Sequence, residues 1–150
     1  MMIKEQPAYS EERAKALGIV LERLVRLLYP QRAPGSLQPL QWSILRFFTT
    51  ADEQTATVSD AARYLGLSHA PVSRAVQTLL TKRMLEKVEN PEDRRGSIYH
   101  LSENGRETIK SDPFFVLVEA MDTIETDRAN TFEQTLRQVV LHIALKKDKS

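Results

Sequence analysis

The sequence predicts a mainly α-helical chain interrupted by one small β-hairpin, and three observations predict it. Apolar residues recur at helical spacing in several separate segments. Two short helical segments meet at Gly66, with only Leu67 between that glycine and Ser68. Just downstream, the runs MLEKVE and SIYHL are rich in strand-forming residues and flank NPEDRRG, where Pro91 and Gly96 punctuate a turn.

Composition limits what such a chain does. At 150 residues, 41% hydrophobic and 27% charged, it matches an ordinary globular domain that can bury a core without metal or disulfide staples. It has no cysteine, which excludes a disulfide framework, a thiolate metal site and a thiol redox sensor. The opening MMIKEQPAYSEER lacks an apolar signal core and no window approaches a membrane span, so a cytoplasmic protein is expected. The net charge of +1 is unevenly spread: residues 61–100 carry seven bases against four acids, residues 101–150 seven against nine. Numbers this small decide nothing alone.

The first helix is expected to begin after Ser10, an N-cap followed by Glu11 and Glu12 where the helix dipole favours acids. Leu17, Val20, Leu21, Leu24, Leu27 and Leu28 form its apolar stripe, Ile19 and Val25 add a second flank, and Pro30 ends it. QRAPGS is then a loop. A second helix starts near Pro39 and buries Leu40, Ile44, Leu45, Phe47 and Phe48, with Trp42 packing beside them. Thr57 and Asp60 have capping-box spacing at the start of a third, short helix, and Gly66 fits a left-handed cap at its end. Ser68 can cap the fourth, whose inner face is Val72, Val76 and Leu79, and Ala61 and Ala62 allow close approach.

The two short helices make a helix-turn-helix candidate. The outer face of the second shows His69, Ser73, Arg74 and Gln77. Arg can donate two bonds to guanine, Gln can pair with adenine, and Ser serves base or phosphate. A solvated helix face would also be polar, so these residues alone leave both readings open. The hairpin tips the balance. A two-stranded wing after a helix-turn-helix brings its tip beside the same duplex, where Arg94 and Arg95 suit phosphates or a narrow minor groove. Asp93, which DNA would repel, reads as an internal partner that orients an arginine.

With these residues assembled, the chain resembles the MarR (multiple antibiotic resistance regulator) family of winged-helix transcription factors from Leu37 to Gly105. VSRAVQTLLTKRMLEK matches its recognition helix and first wing strand, and NPEDRRGSIYHLSENG its wing and the start of the next helix. The family's Asp-x-Arg falls on Asp93 and Arg95, and its Leu-Thr-x-x-Gly on Leu101, Ser102 and Gly105, with Ser for Thr. The resemblance implies a mainly α fold with a small β-wing: a winged helix-turn-helix core over 37–105, flanked by dimerisation helices in 1–36 and 106–150, all one domain. The expected DNA contacts are Ser68, His69, Ser73, Arg74, Gln77, Arg94 and Arg95.

Three positions depart from the pattern. Arg83 stands where the family usually has Gly before the first wing strand, which calls for a different turn or a non-Gly residue in a left-handed conformation. Pro71 replaces a common hydroxyl residue, tolerable in a first helical turn but without a side-chain donor. Asp112-Pro113 interrupts the helix after the wing; Asp112 can cap a new helix with Pro113 at its first position.

The terminal segments are over-supplied with apolar residues. FFVLVEAM is apolar on nearly all sides, and Ala129, Phe132, Leu136, Val139, Val140 and Ile143 recur at helical spacing, widened by Leu141 and Leu145. Packing within one monomer would explain this, but the resemblance favours a homodimer on a palindromic site. It also implies a small aromatic or amphipathic effector that weakens DNA binding, with Trp42, Tyr64 and Tyr99 as candidate pocket residues. No cofactor or metal is expected. His69, His100 and His142 are scattered, and no catalytic triad, paired-carboxylate cluster or phosphate loop is present, so an enzyme is not expected. The rival reading is a winged-helix module that binds protein rather than DNA.

Overall fold

The computed structural model describes residues 9–30, 35–91 and 96–147. In order it contains α1 (Glu11–Leu28), α2 (Pro39–Thr50), α3 (Val58–Leu65), α4 (His69–Thr81), β1 (Leu85–Glu89), β2 (Ser97–Leu101) and α5 (Glu103–Thr108). A 3-10 turn (Ile109–Ser111), α6 (Phe114–Asp122) and α7 (Thr126–Lys147) follow. The chain divides into two compact units, residues 1–112 and 113–150.

Local chemistry accounts for most helix boundaries. Ser10 Oγ accepts the Arg13 amide at 3.3 Å, and α1 closes as the Tyr29 amide reaches Val25 O at 3.0 Å. Pro39 opens α2, while the Gln38 amide donates back to Gln41 Oε1 at 2.9 Å. Thr57 and Asp60 form the expected capping box. Ser68 occupies the N-cap of α4, but its hydroxyl makes no capping bond, so only its extended backbone serves the start of that helix. Pro71 sits in the first turn, where the missing N–H costs nothing.

The core of the first unit lies where α2, α3, α4 and the hairpin meet. Ile44, Leu45, Ala61, Val72, Val76 and Leu79 are completely buried, with Leu85, Tyr99 and Leu101 closing the core from the strands. Phe47 meets Phe48 edge-on, 4.9 Å between centroids, and Trp42 packs against the cluster from α2. β1 and β2 pair antiparallel, Leu85 opposite Leu101 and Glu89 opposite Ser97.

The expectation for Asp112-Pro113 changes. Pro113 is the N-cap of α6 rather than its first helical residue, and the Asp112 carboxylate is engaged by Arg46 across the fold. The apolar stripes of α1, α6 and α7 are not covered within their units: none of these helices holds a buried residue. Ile19, Val20 and Leu27 are each more than 60% exposed.

Candidate nucleic-acid interface

The turn between α3 and α4 is made by Gly66, at φ 64° and ψ 34°. The Leu67 amide bonds Ala62 O at 3.0 Å and the Gly66 amide bonds Arg63 O at 3.2 Å, a Schellman closure. At the head of α3, Thr57 Oγ1 donates to Asp60 Oδ2 at 2.6 Å and the Thr57 amide to the same oxygen at 3.0 Å. The Thr57 hydroxyl bond lowers the Asp60 pKa; burial opposes it, and the Thr57 amide and Arg63 add to the lowering.

With Val72, Val76 and Leu79 turned into the core, α4 presents His69, Arg74 and Gln77 to solvent and Ser73 half-buried at its edge. Its thirteen residues include no carboxylate, so nothing on this helix repels an anionic partner. A concave, mostly polar groove of about 410 Å³ runs from the α4 face to the wing base. Thr57, Ser59, His69, Ser73, Asn90, Ser97 and Tyr99 help line it. Of these, Thr57, Ser59, Asn90 and Ser97 are not among the site residues that the sequence predicts. The signal for them is hydroxyl and amide side chains at the head of the first helix of the motif and at both feet of the hairpin.

The wing is tied to the helices at its base. The Tyr99 amide donates to Ala56 O at 2.9 Å, joining β2 to the loop before α3. Arg83 takes φ 56°, so a non-Gly residue does adopt the left-handed turn into β1. The Met84 amide reaches Leu79 O and the Arg83 amide Leu80 O, both at 2.9 Å. Ser102 then bridges this turn to α5: its hydroxyl donates to Arg83 O at 2.7 Å and accepts the Gly105 amide at 2.9 Å. This is the physical content of the Leu101, Ser102 and Gly105 motif. The tip residues Asp93, Arg94 and Arg95 lie outside the described residues.

The three candidate effector residues occupy different surroundings. Tyr99 is buried and borders the groove, which includes neither Trp42 nor Tyr64. Tyr64 is 68% exposed, its ring 5.3 Å from Phe47, and Trp42 packs on the core from α2. Among the described residues, no helix is long and apolar enough to cross a membrane.

A helix-turn-helix with a polar outer face, followed by an antiparallel wing anchored beside it, defines a winged-helix fold. A model of the MarR family matches residues 36–96, the stretch that holds α2, α3, α4 and β1. Over that stretch the chain is similar to the MarR family of winged-helix transcriptional regulators. Several solved structures share its fold. A mutant MarR from E. coli complexed with operator DNA aligns over 86% of this chain and 94% of its own, at 20% identity and a TM-score of 0.69. PcaV from Streptomyces coelicolor, in complex with its natural ligand, aligns over 93% and 97%, at 18% identity and TM-score 0.68. S. aureus MepR bound to ethidium bromide aligns over 92% and 99%, at 11% identity and TM-score 0.57. No curated protein sequence matches the chain.

Proposed function

We propose that this chain is a homodimeric, sequence-specific repressor that binds a palindromic operator and is released by a small aromatic or amphipathic ligand. The observation that carries the reading is the exposed, acid-free face of α4 beside the anchored wing, with a polar groove between them. In this reading Arg74 addresses a guanine, Gln77 an adenine, and Ser73 a base or phosphate, while Ser68 and His69 lie at the approaching end of the helix. Arg94 and Arg95 contact phosphates or the minor groove, oriented by Asp93. Residues 37–105 are the reading lobe; 1–36 and 106–150 form the dimerisation region.

Dimerisation is supported by the uncovered apolar faces of α1, α6 and α7, where Val20, Val116, Val140 and Leu141 are each at least 59% exposed. A two-fold pair sets its recognition helices about 34–36 Å apart, one DNA turn. Release by a ligand is supported by two relatives of the same fold, PcaV with its natural ligand and MepR with ethidium.

The test is a gel shift on DNA upstream of the protein's own gene, with random DNA as competitor and light scattering on the free protein. The expected result is a dimer that holds the upstream DNA against competitor. Equal affinity for all DNA, or none, overturns the reading and favours a protein-binding winged helix.

A further inference from the structure

We infer that Arg46, Asp112 and Tyr29 form a latch that selects operator half-site spacing, by holding the point at which the chain leaves its first compact unit for α6 and α7. The inference rests on the dimeric DNA-binding reading above. Arg46 of α2 grips the Asp112 carboxylate with both arms of its fork, Nε to Oδ2 at 2.6 Å and Nη2 to Oδ1 at 2.7 Å. Its Nη2 also donates to the Tyr29 hydroxyl at 3.2 Å. The contact joins residues 66 apart in sequence, and Tyr29 brings in the end of α1. The side chains are largely withdrawn from water, Arg46 20% and Asp112 9% exposed.

A buried ion pair is a poor device for stability alone, because well-packed apolar residues of similar volume serve as well. What a bidentate guanidinium–carboxylate pair adds is direction, since two parallel bonds fix the plane and angle of the carboxylate. The backbone continues that constraint. Asp112 precedes a proline, which disfavours helical geometry, and it lies extended at φ −58° and ψ 126°. Pro113 follows with its φ locked by the ring at −54°. The last residue of the first compact unit is therefore held by its side chain and by its backbone, immediately before α6 and α7. In a dimeric reader, the exit geometry sets how far each recognition helix can shift and rotate relative to its partner. A clamped exit accepts one half-site spacing; a loose exit accepts several.

The experiment takes full-length protein, an operator selected from random DNA, and versions with the half-site spacing changed by about two base pairs either way, plus an isolated half-site. The main variant is Arg46→Met with Asp112→Leu, which removes both charges together and leaves no lone buried ion. It is expected to melt cooperatively, stay dimeric and bind the isolated half-site as wild type does. Its preference for the native spacing is expected to fall by roughly tenfold, equivalent to about 1.4 kcal/mol. Arg46→Lys keeps the charge but loses the fork, and its preference is expected to lie between the two; it carries the test if the double variant does not fold. A folded variant with the wild-type spacing profile overturns the inference, as does an equal loss on the half-site and on every spacing. Failure of wild type to select any operator would instead overturn the DNA-binding reading on which the latch depends.

Discussion

Replacing Gly105 with Ala tests how the wing is held beside the recognition helix. A Cβ at this position would lie 2.0 Å from Met84 O, 3.0 Å from Met84 C and 3.2 Å from Leu101 Cδ2. The first two atoms are backbone of the turn into β1 and cannot swing aside, so α5 must retreat by about 1 Å or more to regain ordinary contact. That retreat stretches the Ser102 hydroxyl to Arg83 O bond, the Ser102 amide to Met84 O bond at 3.1 Å and the Asn104 Nδ2 to Lys82 O bond at 3.2 Å. Each is worth about 1 kcal/mol net, and more where a buried group such as Ser102 is left unpaired. Alanine returns about 1 kcal/mol through its better helix propensity. The balance is a destabilisation of roughly 2–4 kcal/mol. Urea unfolding at fixed protomer concentration reads it: with a slope of about 2 kcal/mol/M, the midpoint falls by roughly 1–2 M. Operator affinity falls as well, because the strands move relative to α4. A midpoint equal to or above wild type would refute the close-approach argument.

Arg83→Gly relieves a left-handed non-Gly residue, a strain of about 1 kcal/mol, against a similar entropic gain of the unfolded chain. Thermal melts are expected to show no loss of stability, and a clear drop would mean the Arg83 side chain holds the turn. Asp60 has a folded pKa below the ordinary aspartate value, chiefly through the Thr57 hydroxyl, so its contribution is present above the unfolded value and lost as pH falls through the folded one. Acid titration of stability should therefore steepen in the low aspartate range for wild type and flatten there for Asp60→Asn; parallel curves would remove the capping-box argument. Arg74→Ala should cost roughly 1–3 kcal/mol on the preferred operator and relax sequence preference. An equal loss on random DNA would make Arg74 a phosphate contact. For Arg95→Ala, two lost phosphate contacts per dimer should make the log K against log salt slope shallower by about 2. A smaller change with selective loss on A/T-rich flanks indicates the minor groove, and unchanged binding excludes the wing from DNA.

The features legible in the sequence are those decided within a few residues. Ser10, Pro39, the Thr57–Asp60 pair and Gly66 mark helix ends because caps act over one turn, and each lies where its chemistry demands. Val72, Val76 and Leu79 declare the buried face of α4, and therefore its outer face, through helical periodicity alone. The family motif around Ser102 and Gly105 is equally visible, but its reason is not. Only folding brings Gly105 against the Met84 carbonyl and Ser102 onto Arg83, since those partners lie about twenty residues away along a chain that has turned back through the hairpin. The groove beside α4 is likewise a product of assembly, drawing Ser59 from one helix and Asn90 and Ser97 from the two feet of the wing. Asp112 shows the division most sharply. Its place before a proline reads locally as a helix start, yet its carboxylate is held by Arg46, 66 residues earlier. A short-range pattern can nominate a cap; which buried cation a carboxylate meets is decided only when the core of α2, α3, α4 and the hairpin closes and carries both groups out of water.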